Sequence, residues 1–309
     1  MTANEPQVPW TDEHWARVNQ VIQEETNRAR VGASFLPLYG PLPADADFVR
    51  RGDLAYPPLP PADFRQQGRR IAIDDQRTMR LATLQVKVYL RGAQMADSEM
   101  RSVLDLFRRA ANVLARLEDA VVFRGLVINF FPPPPIVIPP FQAVFGLPRI
   151  WEILGGEVTP GLLGPGIPLP PPVIGPLPPP SPPNHGRRIA AAIARAIGLL
   201  ERRGHFGPFA VVLGHNYFAH VVTPQAAGDV LPQDQIIPFL GGGPLLRCSV
   251  LPRNSGVVVA LGGAPIELVV ATDVSLQFLQ VTNAPAYLFR VREKMALRIK
   301  EANAIVTLR

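Results

Sequence analysis

The chain contains 309 residues, of which 47% are hydrophobic and 18% are charged, so enough apolar side chains are present to build a core, which excludes disorder over most of the length. The formal net charge is +6, but acidic residues lie between the scattered arginines, which favours solvated faces and intersubunit ion pairs over a nucleic-acid groove. A single cysteine, Cys248, excludes an intrachain disulfide framework and indicates a reducing, cytoplasmic compartment. No apolar run reaches the roughly 18 residues that would span a bilayer.

The amino-terminal part of the chain predicts one helix followed by an extended arm. Residues 10–30 carry apolar side chains at helical spacing, and Thr11 is a suitable N-cap. Asp12 and Glu13 lie in the first turn, where negative charge is favourable. Residues 41–68 are rich in Pro, Asp and Arg and show no sustained period, which predicts an extended segment that reaches away from the core.

The middle of the chain predicts a strand, a long helix and a proline-rich insertion. Apolar residues alternate with polar ones over residues 84–90, as in a half-buried strand, and one apolar stripe runs along a helix predicted over residues 97–121. Residues 127–185 then contain 19 of the 36 prolines and only three charged side chains. Such runs favour polyproline II, so we expect this insertion to form a surface element outside the core.

The carboxyl-terminal part predicts a helix and several strands, which is typical of an α+β protein. Helical spacing over residues 189–200 stops before Gly204. The β-rich runs that follow are residues 209–213, 256–261, 266–271 and 275–281. In the last strand, apolar side chains from Phe289 to Ile299 alternate with basic ones, which predicts one packed face and one cationic face.

No motif in the chain carries recognisable catalytic chemistry. The five histidines lack the spacing of a helical zinc site, and Cys248 has no evident His–Asn or His–Asp partner. The loop Gly241-Gly242-Gly243 lacks the Lys-Ser/Thr ending of a phosphate-binding loop. The sequence therefore favours a structural or binding protein over an enzyme.

Several motifs, in the same order along the chain, carry a resemblance to one family. They are Leu38-Tyr39-Gly40-Pro41-Leu42 after the first helix, residues 117–125 (LEDAVVFRG), residues 204–213 (GHFGPFAVVL), residues 254–259 (NSGVVV) and residues 271–276 (ATDVSL). With these motifs the chain resembles the encapsulins, the linocin-like family of bacterial nanocompartment shell proteins. The resemblance covers residues 9–126 and 186–308.

The resemblance implies an α+β fold, the tailed-phage major-capsid fold of the Hong Kong 97 type. It divides the chain into an amino-terminal helix and arm (1–40), an extended loop (41–83), a peripheral domain with a spine helix (84–126), the proline-rich insertion (127–185), an axial domain (186–272) and the last strands of the peripheral domain (273–309). It also implies a structural shell protein, not an enzyme. Such a protein self-assembles into an icosahedral cytoplasmic nanocompartment and encapsulates cargo enzymes through their carboxyl-terminal targeting peptides.

The resemblance further implies an apolar groove that binds the cargo peptide. The candidate residues of this groove are Val31, Phe35, Leu36, Leu38, Leu276 and Phe278. Each of these side chains could instead only pack the first helix on the sheet. Family members commonly carry an arginine and an acidic residue near the groove, where this chain has Ala33 and Pro37. That difference predicts a more apolar peptide, or no targeting peptide of the usual kind.

A pore at a symmetry axis is expected from the loop between Thr223 and Gln235. Its candidate lining residues are Gln225, Asp229, Gln233 and Asp234. Because an axis repeats each charge, a ring of Asp229 carboxylates would favour cations over anions. No metal and no cofactor are expected, although some members of the family bind flavin against an aromatic side chain at the position of Tyr89. A surface or packed tyrosine is the alternative.

The implied partners are copies of the same chain and a cargo protein, such as a dye-decolorising peroxidase or a ferritin-like protein. The insertion could contact neighbouring subunits, a membrane surface or a cargo protein, and no nucleic acid is expected. Two alternative functions stay open. One is a phage or prophage major capsid protein with the same fold, and the less favoured one is a bacteriocin-like or proteolytic enzyme.

Overall fold

The computed structural model describes residues 8–55, 71–128, 136–137, 150–164, 173–174, 185–224, 230–282 and 286–309. Its helices are α1 (Asp12–Ala29), α2 (Gly32–Phe35), α3 (Gly92–Met95), α4 (Arg101–Arg124), α5 (His185–Arg202), α6 (His215–Val222) and α7 (Pro232–Ile236), with 3-10 turns at Ile237–Leu240 and Ala302–Ala304. Its strands are β1 (Leu38–Tyr39), β2 (Phe48–Arg50), β3 (Asp53–Ala55), β4 (Ala72–Asp74), β5 (Thr78–Arg80), β6 (Ala82–Arg91), β7 (Val127–Ile128), β8 (Ile136–Val137), β9 (Trp151–Gly155), β10 (Val173–Ile174), β11 (Phe209–Leu213), β12 (Leu245–Arg247), β13 (Gly256–Ala260), β14 (Ile266–Val281), β15 (Ala286–Ile299) and β16 (Ile305–Leu308).

A first sheet, in the strand order β1-β14-β15-β6-β9, carries helices α1 and α4 on one face. β1 runs parallel to β14, and the other neighbours are antiparallel. Phe107 and Leu114 of α4 are fully buried beneath the sheet residue Phe289 and its neighbours. The rings of Trp10 and Phe289 are stacked with their centroids 4.9 Å apart. The apolar stripes of both helices therefore close one core against the sheet.

The helices predicted over residues 10–30 and 97–121 are confirmed, with a shifted start for the second. The Thr11 hydroxyl accepts a hydrogen bond from the His14 backbone N–H at 3.3 Å and caps α1 as expected. Helix α4 was expected over residues 97–121 but begins four residues later. The Asp97 carboxylate accepts from the Glu99 N–H at 3.0 Å, and Met100 adopts a left-handed backbone with φ of 54°, so this stretch forms a turn instead.

Strand β14 corrects the predicted carboxyl-terminal pattern. The runs at 266–271 and 275–281 are one strand of 16 residues, with register shifts at Val270/Thr272 and Thr272/Ser275. The polar residues between the runs are accommodated as bulges of a continuous ladder and not as a turn. The predicted axial-domain boundary at residue 272 therefore cuts through a strand of the first sheet.

A second sheet, in the strand order β10-β16-β13-β11-β12, forms the other half of the described chain. All five residues of β11 and of β13 are buried, and α5 contributes Ile189, Ile193 and Leu200 to the same core. β16 pairs antiparallel with β13, so the end of the chain joins this sheet and not the peripheral one. Among the described residues, no helix is long and apolar enough to cross a membrane.

Part of the proline-rich insertion lies inside the core, so the prediction that it is a surface element is wrong for residues 150–164. β9 pairs with β6 as the edge strand of the first sheet, and Trp151 and Ile153 are buried. Leu162 is fully buried, and its N–H donates to the Val122 carbonyl at 2.9 Å. This stretch contains one proline, Pro160, so its N–H groups remain available for pairing. Most of the proline runs lie outside the described residues.

The base of the predicted extended arm covers the other face of the first sheet. β2 pairs with β5 and β3 with β4, while residues 56–70 lie outside the described part of the chain. Val49 and Met79 pack against Val269 and Ala296 of the sheet. The face of β15 that was expected to be cationic is therefore partly covered by the arm in this structure.

Candidate functional site

The candidate docking residues that follow α1 are mostly buried. Val31 is half-buried, and its backbone N–H donates to the Asp119 carboxylate at 2.9 Å. Phe35 and Leu36 are buried, with the Phe35 ring centroid 6.4 Å from that of Phe123. Leu38 differs from them, because it lies on the edge strand β1 and is 60% exposed. The structure therefore does not bring these four side chains to one common surface.

The candidates on β14 lie along the seam between α1 and this strand. At one end of the seam, the Arg30 guanidinium is 3.3 Å from the Asp273 carboxylate, and further along, the Gln23 side chain donates to the Val274 carbonyl at 2.7 Å. Leu276 and Phe278 follow in the same strand and are both half-buried. We call the junction of α1 with β14 the α1–β14 seam and assign to it Leu276, Phe278 and the half-buried Val31, which all pack against the same core.

The outer edge of β14 is only partly covered. The chain after α2 pairs with this edge at Leu268 and Val269, and the Leu42 N–H donates to the Val270 carbonyl at 3.0 Å. Beyond Val270, no other described strand pairs with this edge. The backbone beside Leu276 and Phe278 is therefore open to an added strand, which is a common mode of peptide recognition.

Buried acidic residues underlie the end of α1, and the sequence patterns did not single them out as charged groups. Asp119 of α4 accepts from the N–H groups of Val31 and Gly32, and burial raises its pKa to about 7 despite these bonds. Glu118 of α4 and Glu293 of β15 are fully buried. The alternation of β15 could have revealed Glu293, because it occupies an inward position of the strand.

A compact ion-pair network joins the arm to the sheet. Glu267 accepts from both Arg298 and Lys300, and Arg298 also donates to the Arg50 carbonyl of the arm at 3.0 Å. The Arg298 guanidinium stacks 4.0 Å from the Tyr39 ring centroid. Burial acts to raise the pKa of Glu267, but the hydrogen bonds from its two cationic partners hold it below the usual value. The network fixes where the arm leaves the sheet.

The predicted pore segment is only partly described. Gln225 and Asp229 lie outside the described residues, so the structure says nothing of them. Pro232–Ile236 forms α7 where a loop was expected, because Pro232 occupies the first helical turn, in which its missing N–H has no cost. Gln233 is half-buried and Asp234 is exposed on this short helix.

The remaining candidates are an aromatic side chain, a thiol and a pair of histidines. Tyr89 is 57% exposed on β6, and Cys248 is fully buried beside β11, where burial raises the pKa of its thiol. The rings of His185 and His220 lie with their centroids 4.5 Å apart. Within the described ranges, no group of three or more metal-ligating side chains comes together.

Comparison with known proteins agrees with this architecture. Residues 2–129 and 176–296 match the model of a family described as encapsulating protein for peroxidase. The gap between the two matched ranges, residues 130–175, lies within the predicted insertion. The chain is 27% identical to the type 1 encapsulin shell protein EncA of Myxococcus xanthus over 307 residues, which cover 97% of this chain and 93% of that protein.

Solved structures show the fold. The virus-like particle of Pyrococcus furiosus matches with a TM-score of 0.65 and 15% identity, over 96% of this chain and 100% of that one. The capsid of the phage XM1 matches with a TM-score of 0.54 and 12% identity, over 85% and 86% of the two chains. The predicted α+β capsid fold is confirmed. Because the family model covers far more than half of its length, the chain belongs to the family of encapsulating proteins for peroxidase, the encapsulin shell proteins.

Proposed function

We propose that the chain is a structural shell protein that self-assembles into an icosahedral nanocompartment in the cytoplasm and encloses cargo enzymes. The family match over both halves of a capsid fold carries this proposal. The arm supports it, because its base is anchored on the sheet while Phe48 and Ile73 of the arm are 60% and 67% exposed. Neighbouring copies would bury such apolar side chains.

Assembly is tested on the purified chain by size-exclusion chromatography and electron microscopy. Closed particles in the megadalton range are expected. A stable monomer near 33.7 kDa in physiological buffer would contradict the proposal. The capsid folds of this shell and of a phage are related, so the genes beside the coding sequence separate the two functions: portal and protease genes indicate a virus, and a peroxidase or ferritin-like gene indicates a compartment.

We infer that a cargo targeting peptide docks on the α1–β14 seam as an extended strand. The open backbone of β14 supplies hydrogen-bonding groups, and the half-buried side chains of Val31, Leu276 and Phe278 supply apolar contacts. Each well-buried apolar anchor contributes about 1.5–3 kcal/mol, so a short peptide needs several anchors together with the valency of the shell. Ala33 and Pro37, in the segment that follows α1, carry no charge, which favours an apolar peptide.

Substitution on the seam tests the docking proposal. Leu276→Asp places a charge among the apolar contacts and is expected to lower cargo per shell at least about tenfold while the particles stay intact. Gln280→Asp is the matched control, because Gln280 is exposed on the same strand. The measurement is the cargo-to-shell mass ratio after co-expression. Equal loading in the two variants would remove Leu276 from the docking surface.

A pore and a flavin site are two further properties that the chain can be tested for. We propose that the segment from Thr223 to Gln235 lines a pore, in which Asp229 and Asp234 favour cations. Their Asn variants are expected to slow cation entry relative to anion entry, and unchanged rates for both ion signs would exclude the segment. Exposed Tyr89 could stack on flavin, which the visible absorption of purified shells, compared with a Tyr89→Ala variant, would reveal.

A further inference from the structure

Two fully buried carboxyl groups lie without protein hydrogen-bond donors near the end of α1. Glu118 of α4 and Glu293 of β15 are each 0% exposed. None of their four carboxyl oxygens receives a hydrogen bond from the described residues. Asp119, the neighbour of Glu118, is different, because its carboxylate accepts from the N–H groups of Val31 and Gly32.

The charged groups around Glu118 and Glu293 would not compensate two negative charges if both carboxyls were ionised. The groups that act on Glu118 and Glu293 are Asp119 of α4, Asp273 of β14 and Arg30 at the end of α1. Arg30 is the one cation among them and already pairs with Asp273. An isolated carboxylate in an apolar interior is far more costly than a neutral acid. The geometry therefore favours the protonated form of both glutamic acids.

We propose that Glu118 and Glu293 are neutral acids in the folded protein and form an alkali-sensitive lock, which keeps the end of α1 packed on α4 and loosens this junction when the two groups ionise. Ionisation would add two negative charges beside Asp119 and Asp273. Asp119 holds the backbone of Val31 and Gly32, so repulsion there acts directly on the link between α1 and α2.

The pH range in which the junction loosens follows from the direction of the pKa shifts. Burial, and then the charges of Glu293 and Asp119, raise the pKa of Glu118 well above its usual value, and burial raises the pKa of Glu293 to about 8. A carboxyl with a raised pKa in the folded state gives its full stability below the pKa of the unfolded chain, about 4.5. That contribution falls as the pH rises through the folded-state value. Asp119, with a pKa of about 7, acts in the same direction.

The lock would also affect cargo docking, because Val31 belongs both to the junction and to the α1–β14 seam. This consequence rests on the proposed function. The lock itself does not, since it concerns contacts within one chain and can be measured on particles without cargo.

The test combines infrared spectroscopy with hydrogen–deuterium exchange on assembled wild-type protein and on a Glu118→Gln/Glu293→Gln variant, whose amides mimic the neutral acids. At about pH 6, the wild type is expected to show a stronger protonated-carboxyl stretch than the variant, in which Asp119, with a pKa of about 7, still contributes. At about pH 9, the peptide spanning residues 27–36 is expected to exchange at least about tenfold faster in the wild type than in the variant. Comparison at equal pH cancels the intrinsic pH dependence of exchange.

Glu13→Gln serves as the control, because Glu13 is exposed on the same α1 and its variant should behave as the wild type at both pH values. A carboxyl band of equal intensity in the wild type and the double variant at about pH 6, or equal exchange of the two proteins at about pH 9, would overturn the lock. If the double variant does not fold, the infrared titration of the wild type alone decides. Part of the band must then persist after Asp119 has ionised near pH 7 and disappear only as the pH rises through about 8, and a band that is lost completely near pH 7 refutes the proposal.

Discussion

At the scale of single residues, Asp119 organises the link between α1 and α2. Its carboxylate accepts from the N–H of Gly32 at 2.7 Å and from that of Val31 at 2.9 Å, although α2 has no side-chain cap of its own. Asp119 is 88 positions away from Val31 in the sequence. A distant side chain therefore caps α2, whereas the adjacent residue Thr11 caps α1.

Asp119→Ala should therefore destabilise the fold by about 2–6 kcal/mol, since an unsatisfied buried N–H costs about 1–3 kcal/mol and two are left. Asp105→Ala on the same α4 removes only an exposed pair with Arg108 and should cost less than about 1 kcal/mol. The urea unfolding midpoint of each variant measures the difference. Similar midpoints would mean that Asp119 contributes no more than a surface charge.

Arg298 is the second residue with a large expected effect. It is 7% exposed, and its removal would leave Glu267 with Lys300 alone and would free the Arg50 carbonyl of the arm. Breaking a buried pair from one side costs about 3–5 kcal/mol, so Arg298→Ala should lower the thermal midpoint strongly. Arg101→Ala, which breaks an exposed pair with Glu99, is the control and should change it little. Equal midpoints would show that the network contributes little to stability.

At the scale of elements, Gly125 joins the end of α4 to residues 150–164 of the insertion. Its φ is 76°, and a Cβ at this position would lie 2.0 Å from the Thr159 carbonyl oxygen and 2.4 Å from the Gly161 nitrogen. The Leu126 N–H donates to that same Thr159 carbonyl at 2.9 Å. Only glycine allows α4 to end here with the returning chain in backbone contact.

Gly125→Ala is thus expected to destabilise the protein by several kcal/mol and to lower the yield of particles, because the clash is with backbone that cannot move aside. Gly198→Ala within α5 is the matched control. Nothing lies within 4 Å of its added Cβ, so the higher helix propensity of alanine should stabilise by about 0.5–1 kcal/mol. Thermal unfolding of both variants distinguishes strain at one glycine from a general effect of the substitution.

At the scale of the whole molecule, the described parts of the insertion contribute strands to both sheets. Residues 150–164 are part of the fold, since β9 extends the first sheet and Leu162 fills its core. Val173 and Ile174 pair with β16, so the insertion also reaches the second sheet. Its removal therefore affects the stability of each subunit before it affects any contact between subunits.

Two deletions separate these roles. Replacing residues 132–183 by a Gly-Ser bridge should abolish particles, because the sheet loses its edge strand and the fully buried Leu162, which alone is worth about 1.5–3 kcal/mol. Replacing only residues 139–148 leaves β9 in place and should preserve particles, which electron microscopy would show. If the short deletion alone abolishes particles while the monomer stays folded, those residues contact neighbouring subunits. Normal particles from the long deletion would show that β9 is dispensable.

The sequence by itself determined the features that depend on near neighbours. The cap at Thr11, the stripe of α4 and the alternation in β6 depend on residues two to four positions apart, and the structure confirms each of them. The alternation in β15 is confirmed up to Met295 and ends there, because Ala296, Leu297 and Arg298 are all buried. The family motifs also predicted the capsid fold, because ordered motifs along a chain identify a family without any knowledge of its contacts.

Only the tertiary structure decided which segments pair over long distances. It merged two predicted strands into β14, moved β16 to the second sheet and brought residues 150–164 into the core. It also placed Glu293 against α4 and joined Arg30 to Asp273, which are 243 positions apart. Local periodicity fixes which side of an element is apolar, but the partner of that side follows from the packing of the whole chain, where burial and hydrogen bonding must be satisfied together.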